Sequence, residues 1–184
     1  YSGNGSSQSI TGVGFQPDFT WIKSRSGTYG AYNPQAYDAV RGAGTSKDLT
    51  PASTAVEGVD SGAYGYISAF GTDGFTLTEG SSSSVQNNGA STEYASWNWK
   101  ANGQGSSNTD GSINSTVSAN TTAGFSIVKY TGTGSASTIG HGLGSAPKMV
   151  IVKTLNTTGV WLTWHTGISI NGQLQLQATD AVYN

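Results

Sequence analysis

Two tryptophans stand two residues apart in the segment Glu93 to Lys100, EYASWNWK. Alternate residues of an extended strand share a face. Glu93, Ala95, Trp97 and Trp99 therefore line one side, and Tyr94, Ser96, Asn98 and Lys100 the other. Exposed indole rings beside amides and hydroxyls suit one kind of chemistry: the apolar face of a sugar ring stacks on them, and the polar neighbours read its hydroxyls. Trp161 and Trp164 lie on a second strand candidate. Tyr29, Tyr32 and Tyr37 crowd a glycine-rich loop, GTYGAYNPQAY, with the composition of adaptable recognition loops. The candidate ligand contacts are Tyr29, Tyr32, Tyr94, Trp97, Asn98 and Trp99. Core packing competes for these residues and weighs more, because a Leu-poor chain needs aromatic volume inside. Tyr94, Asn98 and Lys100 would then form the exposed face.

Other chemistries find little support. A glycan hydrolase sets two carboxylates across the scissile bond. The ten acids here are scattered, and Glu79 and Glu93 merely flank a serine-rich stretch. The only histidines, His141 and His165, are distant in sequence, and no G-x-S-x-G elbow occurs. Without cysteine there is no thiolate metal site, disulfide or Cys nucleophile. Asp73 in TDG, and Asp110 beside Asn108 and Thr109, read as turn formers ahead of calcium ligands. No catalytic residue, metal or cofactor is expected. Six Lys and two Arg form no basic stripe, so nucleic acid is not an expected partner. No apolar run has membrane-spanning length, and no membrane insertion is expected.

Those side chains need elements to hold them. Gly, Ser and Thr make up 27, 26 and 23 of 184 residues, and charged residues only 10%. Net charge is −2, and 19 aromatic residues remain to pack, which argues against a disordered chain. Helical periodicity is nearly absent; Pro34 to Arg41 suits a short helix or a strand. Strand patterns cover Phe19–Lys23, Ala63–Phe70, Gly74–Thr78, Glu93–Lys100, Ser112–Ala119, Gly124–Tyr130, Lys148–Lys153, Val160–His165 and Gln173–Ala178. Lys148–Lys153, apolar on both faces, reads as a buried strand. Turn dipeptides at Asp73-Gly74, Asn88-Gly89, Asp110-Gly111 and Asn171-Gly172 separate the runs. The expected fold is all-β, an antiparallel sandwich of jelly-roll or lectin-like kind. Gly42–Ser61 and Gly80–Ser91 read as mobile or irregular, and 103–110 as a linker or loop between β-rich segments 1–102 and 111–184.

The chain also repeats itself. YSGNGSSQSI at its start resembles YTGTGSASTI from Tyr130, and TGVGFQPDFTWIK (11–23) resembles HGLGSAPKMVIVK (141–153). Residues 130–153 are thus a partial repeat of 1–23, with Gly12/Gly142, Gly14/Gly144, Pro17/Pro147 and Lys23/Lys153 in register. The pattern reads as a glycine turn, a closing proline and a strand ending in lysine. It carries the expectation that the natural polypeptide continues in at least one direction.

GFQPDFTWIKSRSG, AYDAVRGAG, TDGFTL, YASWNWKA, SANTTAGFSIVKYTGTG, GHGLG and APKMVIVK together resemble a repeat domain of tail-fibre and other virion structural proteins of marine bacteriophages, especially cyanophages. The resemblance implies a location on the virion surface and a structural, non-enzymatic role in a fibre or appendage. Other virion proteins or further copies of the chain are the implied partners, with host-surface glycan or protein as the contact. The alternatives are a capsid-decoration or filament subunit that binds no ligand, and a polysaccharide depolymerase.

Overall fold

A computed structural model describes residues 1–26 and 32–183. The chain is all-β: the described residues form four three-stranded antiparallel sheets and one short helix, α1 (Ser61–Tyr64). The sheets are smaller than the four-stranded pair of a jelly roll.

The first sheet orders β1 (Gln8–Thr11), β5 (Gly74–Thr78) and β4 (Tyr66–Gly71) side by side. The second orders β3 (Gln35–Asp38), β2 (Phe19–Ser24) and β6 (Tyr94–Trp99). Period-two alternation decides what each contributes. Ile67, Phe75 and Leu77 from the first sheet meet Ile22, Tyr37 and Tyr94 from the second in one buried cluster. Tyr1 stacks on Tyr94 with ring centroids 5.3 Å apart and meets the Phe75 ring edge-on at 6.4 Å. Pro34–Arg41 thus resolves as strand β3 followed by a turn.

The third sheet orders β7 (Ser106–Asn108), β8 (Ser115–Asn120) and β9 (Phe125–Tyr130). β7 lies inside the stretch expected to be a linker. That stretch is anchored: the Ser118 hydroxyl accepts from the Asn102 N–H and donates to the Gly103 carbonyl, both at 2.8 Å. The fourth sheet orders β10 (Met149–Val152), β11 (Leu162–His165) and β12 (Leu174–Gln175).

The sequence repeat is also a structural repeat. β2 pairs with β3, and β10 pairs with β11, in matching antiparallel registers. The Ala39 N–H donates to the Asp18 carbonyl at 2.8 Å, and the Thr166 N–H to the Lys148 carbonyl at 2.9 Å. Leu49 bridges Ala36 as Leu174 bridges Thr163. Lys23 and Lys153 each donate to the carbonyl of the following residue, at 2.9 and 2.8 Å. Trp161 joins the halves, packing with Ala36 and Leu49 while its indole N–H donates to the carbonyls of Thr50 and Ser53, each at 3.1 Å.

One expectation is corrected. β10 is not buried: Met149, Val150 and Ile151 are 51, 38 and 42% exposed, and no described strand pairs with its second edge. The Gly80–Ser91 stretch is irregular, as expected, but held in place, with Ser84 to Gly89 buried beneath the N-terminus. There the Asn88 side chain bonds Asn4, Ser6 and Gln8. The Gly42–Ser61 stretch is irregular but tied down. Arg41 pairs with Asp38 at 2.5 Å and with Glu57 at 2.8 Å, and donates to the Lys47 carbonyl at 2.8 Å.

Candidate functional site

The register of β2 against β6 sets Trp21 directly opposite Trp97 and Phe19 opposite Trp99. These pairs occupy the face turned away from the first core. Facing side chains on an antiparallel pair lie about 4.5–5.5 Å apart at Cβ, so the rings form a contiguous aromatic surface. Trp99 is propped from beneath. Its ring meets Phe19 edge-on at 5.4 Å and stacks on Phe125 of β9 at 6.1 Å, with planes 24° apart. Trp97 is 50% exposed and Trp99 38%. Together with Lys23 and Pro34, the three tryptophans line an open, apolar cleft of about 440 Å³.

The inward face of β6 corrects the preference for buried tryptophan. Tyr94, not Trp97 or Trp99, enters the core, and it is 2% exposed. Its hydroxyl donates to the Val85 carbonyl and accepts from the Gly89 N–H, both at 2.8 Å. Tyr94 therefore cannot contact a ligand. Asn98 is half-buried on that same inward face, accepting from the Thr20 hydroxyl at 3.1 Å and donating to Ser96 at 3.2 Å. It is separated from the tryptophans by the sheet itself. Small polar residues at 20, 24, 96 and 98 leave room between the sheets for Tyr37, Phe75 and Tyr94; a further pair of indoles would overfill that layer.

Tyr32 is 39% exposed but does not line the cleft. Tyr29 falls outside the described residues. The structure thus brings together Trp97 and Trp99 and adds three residues not singled out as contacts, Trp21, Lys23 and Pro34. Trp21 carried only a partial signal, as the central residue of the strand candidate FTWIK; its face follows from the register of β2 against β6.

A second open cleft, about 300 Å³, lies over β8 and β9 and is lined by Asn114, Ser115, Thr116, Lys129, Tyr130 and Thr131. Neither cleft has a carboxylate in its lining. Asp38 and Glu57 converge on the Arg41 guanidinium, which engages both. Among the described residues no cluster of three or more His, Asp or Glu is arranged to hold a metal. Each histidine serves its own turn: His141 Nδ1 accepts from the Leu143 N–H at 3.2 Å and His165 Nδ1 from the Gly167 N–H at 2.9 Å. Asp110 and Asn108 likewise bond each other across a turn.

The strongest local electrostatics serve structure. The exposed Asp73 carboxylate accepts from the N–H of Gly14 at 2.6 Å and of Gly12 at 3.0 Å, and these two bonds hold its pKa below the ordinary value. Burial, reinforced by Asp48, raises the Tyr37 hydroxyl well above its ordinary value.

The family model for a domain of unknown function, DUF7483, matches residues 1–184. The chain belongs to that family. No curated protein and no solved structure matches this DUF7483 domain. Its site is therefore read from geometry alone, and the geometry offers a ring-stacking surface with a lysine at its rim.

Proposed function

We propose that this DUF7483 domain is a non-catalytic binding module that stacks saccharide rings on the Trp21–Trp97–Trp99 surface. The observation that carries the reading is the outward placement of three indoles that could have been buried. A large aromatic left half in water costs apolar exposure, and contiguous exposed apolar surface marks a contact site. Indole faces take the C–H face of a pyranose. Both clefts lack acids, which favours retention of a glycan over its cleavage.

The resemblance to phage tail-fibre repeats supports placing the module on a virion surface, contacting host glycan, with other virion proteins or further copies of the chain beside it. A net charge of −2 with few ionic groups would leave such attachment nearly independent of salt. Weak single sites would gain from multiple copies. A second reading, an architectural subunit, is favoured by one observation: the exposed apolar edge of β10.

The test is an array of immobilised bacterial polysaccharides, probed with the protein multimerised on beads. Retention on at least one glycan class is expected, lost in Trp97→Ala and Trp99→Ala. No retention on any glycan at high valency overturns the reading.

A further inference from the structure

The chemistry of the tryptophan cleft narrows what can bind there. Its lining is Trp21, Lys23, Pro34, Trp97 and Trp99. An indole offers one N–H donor, a lysine only donors, and a proline side chain neither donor nor acceptor. Among the described residues, no side chain of this lining accepts a hydrogen bond. The lysine is turned to its own strand, its amine donating to the Ser24 carbonyl at 2.9 Å and to the Ser24 hydroxyl at 3.3 Å. The nearest acceptors of β6, Ser96 and Asn98, alternate to the opposite face of the sheet, where Asn98 donates to Ser96. Extent and stiffness narrow the ligand further. Trp97 and Trp99 are two residues apart along β6, about 6.6 Å, and Trp21 stands on the neighbouring strand, about 4.8 Å across. Trp99 is wedged between Phe19 and Phe125, at 5.4 and 6.1 Å, so the surface is preorganised before any ligand arrives.

We infer that this face takes a neutral, equatorially linked glycan presented as packed, insoluble chains, of the cellulose or chitin class; the inference rests on the saccharide-stacking reading and names its substrate. The argument turns on the absent acceptor. A hydroxyl pressed onto the indoles loses its water and finds nothing to accept its proton, the cost of any buried unpaired donor. Successive rings of an equatorially linked chain turn over by half a turn. An axial hydroxyl would therefore meet the indoles at every second ring, whereas rings with only equatorial substituents present C–H on both faces. A groove that holds a single soluble chain needs polar walls to read the hydroxyls at the ring edges. This cleft is open and its lining provides no such wall. In packed chains the equatorial hydroxyls already bond neighbouring chains and ask nothing of the protein. Carboxylated sugars are disfavoured, because the face of an aromatic ring is its negative side and the Lys23 amine is engaged at Ser24.

The test is co-sedimentation of the full chain with insoluble cellulose and with chitin, beside insoluble mannan, which carries an axial hydroxyl on every ring, and a polyuronate gel. Partition onto cellulose or chitin is expected, about tenfold or more above that onto mannan or polyuronate. It is expected to be unchanged by added NaCl, since no ion pair is involved, and undiminished by excess soluble glucose. Trp97→Ala and Trp99→Ala are each expected to lower partition about tenfold or more. Trp97 is 50% exposed, so Trp97→Ala, shown folded by its cooperative melt, covers the case in which Trp99→Ala fails to fold. Equal or stronger retention on mannan or polyuronate, retention that falls with salt, or retention indifferent to Trp97→Ala overturns the inference. Retention of an array polysaccharide with none on cellulose or chitin overturns it too, while leaving the stacking reading in place; no retention on any glycan overturns both.

Discussion

Trp161→Ala separates a tryptophan that holds the fold from those that face solvent. Trp161 is 5% exposed and packs against Ala36 and Leu49, with Phe19, Leu155 and Leu176 around it. Removing a buried indole forfeits its transfer term and leaves a cavity, about 3–5 kcal/mol together. It also removes the N–H shared by the Thr50 and Ser53 carbonyls. For a chain of this length each kcal/mol moves the melting temperature by about 2–4 °C, giving a fall of about 6–20 °C. Trp161→Phe keeps most of the packing but strands the two carbonyls, for about 1–3 kcal/mol and a smaller fall. Trp97→Ala loses about half a transfer term with no cavity, about 1–2 kcal/mol. Differential scanning calorimetry on the three variants gives the order directly. If Trp161→Ala melts within about 2 °C of the wild type, or no lower than Trp97→Ala, the assignment of buried and exposed tryptophans is wrong.

Three further outcomes are expected. Trp97→Ala should weaken binding to any glycan the array identifies by about tenfold or more, because the stacking face is gone; an unchanged Kd would place the contact elsewhere. Asp73→Asn should destabilise at neutral pH, with the difference from wild type vanishing in acid. The folded-state pKa of Asp73 is depressed by the Gly14 and Gly12 N–H groups, so its contribution is complete above the ordinary carboxylate pKa of about 4 and disappears as pH falls through the folded value. Melting temperature against pH for both proteins reads this, and parallel curves would contradict it. Gly74→Ala should unpair β1 from β5, since a Cβ there would overlap the Ile10 carbonyl oxygen; hydrogen exchange at Gln8–Thr11 should rise sharply, and unchanged protection would show that the strands separate without cost.

Much of the architecture was legible because alternation is local. Gly74–Thr78 coincides with β5, and the two faces of Glu93–Lys100 were divided as the structure divides them. Which face points inward was not legible. That depends on the volume already filled by Tyr37 and Phe75, which reach the core from strands distant in sequence. β1 and β7 escaped notice because QSIT and SSN carry little apolar signal, and their stability comes from pairing with β5 and β8. Ser84–Gly89 looked mobile by composition. Its order rests on Asn88 bonding residues 4 to 8, contacts that no local window contains. The exposure of β10 was hidden for the opposite reason: KMVIVK reads as buried, and only the topology shows that among the described residues one of its edges is unpaired. In the site, Trp97 and Trp99 were visible from spacing, whereas the place of Trp21 beside them needed the register of β2 against β6, and that of Pro34 the folded cleft.

Oxidative footprinting of the tryptophans, with and without a retained polysaccharide, tests stacking on the β2–β6 face most directly. Trp21, Trp97 and Trp99 are expected to be protected when glycan is bound, with Trp161 unreactive in both states and Trp164 unchanged. Retained glycan with undiminished oxidation of Trp97 and Trp99 would contradict stacking on the β2–β6 face.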